Sequence, residues 1–166
     1  LAASKTRYSL GDDMNANDEY QDHPLSAQPP NPYEPKLLAN RIITPDGTML
    51  QSKHRHDYVT YIDANGKEYM VDGGLEYRRG IIHNDAPPKD ACVYSDDPHE
   101  VIRDAFYWGT RGKDGKQPVV FKPISSLSNM HIHNIRMTQT HIPEHMAKVF
   151  ADEEFYRRDN KIVIED

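Results

Sequence analysis

Strongly apolar side chains are nearly missing from the first 36 residues and then return with two different periods. From Arg41 the pattern is that of strands. Arg41 to Thr44 leads into Pro45-Asp46-Gly47-Thr48, where proline pre-sets φ and glycine can take a positive one, and Met49 to Ser52 is predicted to pair back. Tyr58-Val59-Thr60-Tyr61-Ile62 is β-branched and aromatic, and Lys67 to Val71 returns after Asp63-Ala64-Asn65-Gly66. An Asn-Gly step between such runs is a strong hairpin signal. Two consecutive hairpins predict a small antiparallel meander, ended by Asp72-Gly73-Gly74.

Beyond about residue 97 the period becomes helical. Asp97-Pro98-His99-Glu100 reads as a capping-box helix start, with Val101, Ile102, Ala105 and Phe106 as the apolar stripe and Gly109 as the stop. Val119 to Phe121 is a short extended piece. Ser128 can cap a second helix running to about His141, and Pro143 can open a third, with Met146, Val149, Phe150 and Glu153 on one face. Ile162-Val163-Ile164 is apolar enough for an edge strand. The fold class expected is α+β: a two-hairpin meander over about residues 40–75, then about three helices over about 97–158, within a single domain 37–166. Residues 1–36 are read as a flexible, proline-rich arm, since Pro24, Pro29, Pro30, Pro32 and Pro35 deny the backbone helical and ladder bonds. Tyr8, Leu10, Tyr20, Leu25 and Tyr33 could anchor that arm on a partner, against the plainer reading of a solvated tail.

Composition narrows the function classes. A net charge of -6 over 166 residues argues against broad nucleic-acid or anionic-membrane binding, because neutralising phosphates needs a basic surface. The single cysteine, Cys92, leaves no intrachain disulfide and no cysteine-rich zinc site. No apolar run approaches the roughly 20 residues that span a bilayer. A first residue of Leu1 rather than Met is what a fragment or a processed chain would show. Neither a metal nor an organic cofactor is expected.

One stretch runs from Asn40-Arg41-Ile42 through His54-Arg55-His56-Asp57-Tyr58-Val59 to Val71-Asp72-Gly73-Gly74-Leu75-Glu76-Tyr77-Arg78-Arg79. Another is Trp108-Gly109-Thr110-Arg111-Gly112-Lys113-Asp114-Gly115, followed by Leu127 to Asn134. Both resemble uncharacterised small proteins of tailed bacteriophages and of bacteria carrying their relics. The resemblance covers most of residues 40–158 and not the arm. It implies a phage setting, in the cytoplasm of an infected bacterial host or in the virion, and no mechanism. Some relatives carry cysteine pairs at the two hairpin turns, as a zinc ribbon does. Here those turns read Thr44-Pro45-Asp46-Gly47 and Ile62-Asp63-Ala64-Asn65-Gly66, so turn chemistry has to replace a structural metal.

Candidate chemistry concentrates between residues 54 and 79. On a strand, His54 and His56 would share a face, with Asp57 or Asp72 near enough to complete a metal site; the plainer reading is a polar strand end. Gly73 and Gly74 could let an anion reach the backbone, and Arg78 and Arg79 could fork a phosphate or carboxylate; the plainer reading is a turn with solvated arginines. Because strand direction reverses at each turn, the link 53–57 and the exit 72–74 are expected at the same sheet end, which makes His54, His56, Asp57, Asp72, Gly73, Gly74, Arg78 and Arg79 the candidate ligand or partner site. His131 and His133 would point about 160° apart on a helix, and Pro143 separates His141 from His145, so these four are read as surface or capping residues. No nucleophile with an activating neighbour is evident, and the residues leave enzymatic activity open. The leading expectation is a phage accessory protein that binds a protein partner, host factor or phage component. The alternatives are a phosphate- or nucleotide-ligand protein or hydrolase centred on His54 to Arg79, and a minor virion component.

Overall fold

The computed structural model describes residues 34–74, 79–81 and 83–165. The arm expected over residues 1–36 therefore lies, as far as Tyr33, outside the described residues. Its last residue already belongs to the fold: the Lys36 amide donates to the Ser95 hydroxyl at 2.9 Å and its carbonyl accepts from the Ser95 amide at 2.8 Å.

Among the described residues the architecture is α+β, with antiparallel sheets and three α-helices. Strand β1 (Leu37–Ile43) pairs with β2 (Met49–Ser52) in the register Arg41 to Gln51, and β3 (Val59–Ile62) pairs with β4 (Glu68–Asp72) in the register Tyr61 to Tyr69. Both turns close as their sequences demand. The Gly47 amide reaches the Thr44 carbonyl and the Gly66 amide the Asp63 carbonyl, each at 2.9 Å, with φ of +90° at Gly47 and +77° at Gly66.

The two hairpins pack against each other rather than pairing edge to edge. β1 lies between β2 and β6 (Lys89–Asp90) and also pairs with β7 (Val93–Tyr94), whereas β3, β4 and β5 (Arg79–Gly80) form a sheet of their own. Their inner faces share a small core of Ile42, Leu50, Tyr69 and Val71. One carboxylate ties the two turns together. Asp46 accepts from the Thr44 hydroxyl at 2.5 Å and the Thr48 amide at 3.1 Å in its own turn, and from the Tyr61 hydroxyl and the Ala64 amide, both at 3.0 Å, across the gap.

The larger core is helical. α1 (His99–Ala105), α2 (Asn129–Thr138) and α3 (Glu144–Asp159) close over Leu38 and Ala39 of β1, with Phe106, Ile132, Val149 and Phe150 among the buried contacts. Ser128 caps α2, accepting from the His131 amide at 3.1 Å, and Pro143 opens α3. Three local expectations are corrected. Asp97 does not cap α1; its carboxylate turns back to the Tyr94 amide at 2.8 Å and leaves Pro98 at the helix start. Gly109 does not stop that helix, which ends at Ala105. It sits inside β8 (Tyr107–Thr110), paired with β9 (Val120–Pro123). Residues 162–164 form no strand. Instead the Asn129 side chain and amide hold them, the amide donating to the Ile164 carbonyl at 2.9 Å and Oδ1 accepting from the Ile164 amide at 3.1 Å.

Candidate functional site

The link after β2 is a turn and not a strand, because the Asp57 amide closes it on the His54 carbonyl at 3.1 Å and the Asp57 carboxylate accepts the Lys53 amide at 2.8 Å. His54 and His56 accordingly do not share a strand face: His54 is half-buried and His56 exposed. The exit from β4 presses against this turn. The Gly74 amide donates to the Ser52 hydroxyl at 3.1 Å, and the Ser52 hydroxyl donates to the His54 carbonyl at the same distance. A Cβ on Gly74 would stand 2.6 Å from the His54 carbonyl carbon, and φ there is +53°, so glycine is needed for both reasons.

The segments meet through their backbones while their side chains are engaged separately. Asp72 pairs with Arg79 at 3.0 Å across the β4–β5 ladder, and its carbonyl accepts from the Asn40 side chain at 2.8 Å. Gly73 and Gly74 are buried, so their backbone is not displayed to a ligand. Arg78 lies outside the described residues. Among the described residues, no three histidine, cysteine, aspartate or glutamate side chains converge as metal ligands.

His54 turns instead toward the β8–β9 hairpin, where its ring stacks on Phe121 with centroids 4.3 Å apart and planes 26° apart. Phe121 can lie flat there because its cross-strand partner is Gly109; a Cβ on Gly109 would stand 3.1 Å from the Phe121 ring. The stack divides two hollows. One, of about 480 Å³, is walled by Tyr107, Trp108, Phe121 and Met146 and rimmed by Lys53 and Arg55. The other, of about 650 Å³, shares Lys53, His54, Tyr107 and Phe121 and continues toward Met49 and Val120. The Lys53 ammonium lies 5.3 Å from the centre of the Tyr107 ring, and Trp108 is anchored edge-on to Phe150 at 5.0 Å. His145 also lines the smaller hollow. Burial, with the Lys36 charge adding to it, holds its pKa below the ordinary imidazole value. Sequence reasoning missed this wall. The alternation Tyr107-Trp108-Gly109 opposite Val120-Phe121 was the available signal, hidden by reading Gly109 as a helix end.

A second polar cluster joins α1 to α3. Glu153, fully buried, accepts from His99 Nε2 at 2.8 Å, from Arg103 at 2.8 and 3.0 Å, and from Arg157 Nε at 2.6 Å. Burial pulls its pKa upward, but the donors from His99, Arg103 and Arg157 outweigh that and lower it to about 2. The remaining Arg157 nitrogens reach the Ile124 and Leu127 carbonyls, each at 2.7 Å, and Asn129 Oδ1 at 2.9 Å. The fork thereby ties α3 to the Ile124 carbonyl that opens the short 3₁₀ turn (Ile124–Ser126) and to the Leu127 carbonyl just after it, which places the cluster in the service of helix packing.

No family model matches the chain, and neither a curated protein nor a solved structure matches it.

Proposed function

We propose that this chain is an accessory protein of a tailed bacteriophage that acts by binding a protein partner, a host factor or another phage component, in the cytoplasm of the infected cell. The likeness of its motifs to small phage proteins supports the setting. The observation that carries the binding reading is the outer face of the β3–β4–β5 sheet. Tyr58 and Ile62, 62% and 65% exposed, flank the solvent-facing side of β3, and Met70 adds a half-buried thioether beside them. β3 is also an edge strand, with β4 on one side only among the described residues. Large apolar side chains on an open edge invite strand addition by another chain, which soluble proteins otherwise guard against.

Full-length chain and a Tyr58→Asp/Ile62→Asp variant, each immobilised, are offered extract from infected cells, and retained proteins are quantified. A partner held by the wild type should fall about tenfold or more with the variant, as for interface anchors, and the purified pair should reconstitute the complex. Equal retention by both baits, with the variant still melting like the wild type, overturns the reading.

A further inference from the structure

The net charge of -6 is unevenly spread along the chain. Residues 105–143 hold five lysines and arginines and a single acid, Asp114, and so carry +4. The other residues, with 15 cationic and 25 acidic side chains, carry -10. Four of the five cations, Arg111, Lys113, Lys116 and Lys122, belong to the β8–β9 hairpin and are exposed. Asp114 accepts from the Lys116 amide at 3.1 Å within the same loop. Among the described residues, no ion pair engages Arg111, Lys116 or Lys122.

The hairpin presents these charges in a fixed order. β8 and β9 pair from Tyr107 opposite Pro123 to Thr110 opposite Val120, and the loop beyond them is closed by its own bonds. There the Gln117 amide donates to the Arg111 carbonyl at 3.0 Å, the Gly115 amide to the Gly112 carbonyl at 3.2 Å, and the Gly112 amide to the Thr110 hydroxyl at 3.3 Å. Trp108 braces the base of the ribbon on Phe150. Lys122 stands opposite Trp108, so Arg111 lies three residues, about 10 Å, farther along the ribbon. Lys116 follows in the loop. Cations already arranged in a row lose less freedom on binding than cations on a free tail.

We infer that the β8–β9 hairpin is a DNA-binding ribbon: Arg111, Lys116 and Lys122 contact backbone phosphates while the tip enters the major groove of a duplex. A two-stranded ribbon fits that groove, whereas the deep, narrow major groove of duplex RNA shuts it out. A bilayer is the poorer match, because residues 111–117 include no apolar side chain to bury in it. The phosphates repel the acidic remainder of the chain, which leaves the hairpin as the part that approaches. The ribbon shares none of Tyr58, Ile62 and Met70, so it stands or falls apart from the partner-binding face.

The full chain is titrated into a fluorescently labelled DNA duplex of about 20 base pairs, and anisotropy is read at rising NaCl concentrations. Binding should saturate with a Kd of about 1–100 µM at low salt, and log K against log salt should slope by about -3, close to one unit per cation. An Arg111→Ala/Lys116→Ala/Lys122→Ala variant, altered only at exposed side chains, should melt like the wild type and bind at least about tenfold more weakly. Lys89→Ala/Lys148→Ala/Lys161→Ala removes the same charge from other exposed positions and should stay within about threefold of the wild type. Duplex RNA of the same sequence should bind at least about fivefold more weakly than DNA. Four results overturn the inference: no saturable binding of the duplex at low salt, equal losses in the two variants, RNA bound as tightly as DNA, or polyglutamate or phosphatidylserine vesicles competing as well as unlabelled duplex at equal charge.

Discussion

Glu153 shows how much one side chain can be asked to hold. It sits on the same face of α3 as Met146, Val149 and Phe150, a position where the helical period calls for an apolar residue, and it is fully buried there. A lone carboxylate in that place would be neutralised; this one stays ionised because two guanidinium groups and an imidazole converge on it. Replacing Glu153 with Gln leaves Arg103 and Arg157 close together without their counter-charge. The expected cost is about 3–5 kcal/mol, as for a buried ion network broken from one side, read from urea denaturation at pH 7. The pH dependence has a definite sign. An acid whose pKa is lower in the folded state than in the unfolded one stabilises the fold above its unfolded value. That contribution disappears as pH falls from the ordinary glutamate value of 4.5 toward about 2. Wild-type stability should therefore fall through this window, and the slope should be shallower in Glu153→Gln. A Gln variant as stable as the wild type, with an unchanged acid limb, would show that the cluster contributes nothing.

At the scale of elements, the two hairpins are held at their turns by Asp46. The Thr44 hydroxyl holds its carboxyl well below the ordinary carboxylate range; burial opposes this, and the Ala64 and Thr48 amides and the Tyr61 hydroxyl reinforce it. A zinc ribbon joins two such turns through metal-bound cysteines, and here a carboxylate spans the same kind of gap with hydrogen bonds. Asp46→Ala should lower the melting midpoint and speed hydrogen exchange at the Ala64 amide, Asp46→Asn should recover part of both, and a chelator should leave melting unchanged. Stoichiometric zinc whose removal unfolds the protein would put a metal in the role given to Asp46. The hairpins were legible in the sequence because their signals are local: Pro45 and Gly47 in one turn, Asn65 and Gly66 in the other. The α3 face was legible for the same reason. Elements defined by distant partners were not. The two-residue strands β5, β6 and β7 exist only against β4 and β1, and Gly109 looks like a helix end until Phe121 is seen lying across it. The candidate site was legible as a neighbourhood and not as a constellation. The backbone of His54 does meet Gly74, but Asp57, Asp72 and Arg79 each meet a nearer partner than a ligand.

On the scale of the whole molecule, the described domain has two cores, and β1 runs through both. Leu38 and Ala39 belong to the helical core and Ile42 to the core between the hairpins. A second link runs from β2 to the end of α1, where the Gln51 side chain donates to the Ala105 carbonyl at 2.6 Å. A strand with residues in both cores cannot leave one without exposing apolar surface and unpaired ladder groups in the other. The two cores should therefore unfold as one cooperative unit. Leu50 and Trp108 provide the test, because Leu50 is buried in the hairpin core whereas Trp108 packs against the helical one. Leu50→Ala removes packed atoms and leaves a cavity, at an expected cost of about 2–5 kcal/mol. If the cores are coupled, the Trp108 fluorescence transition shifts by the same amount as the far-ultraviolet dichroism transition, and the two remain superimposable. If the hairpin core melts alone, the dichroism curve splits and the Trp108 transition stays at its wild-type midpoint, which would make the hairpins a separate module joined to the helices through β1.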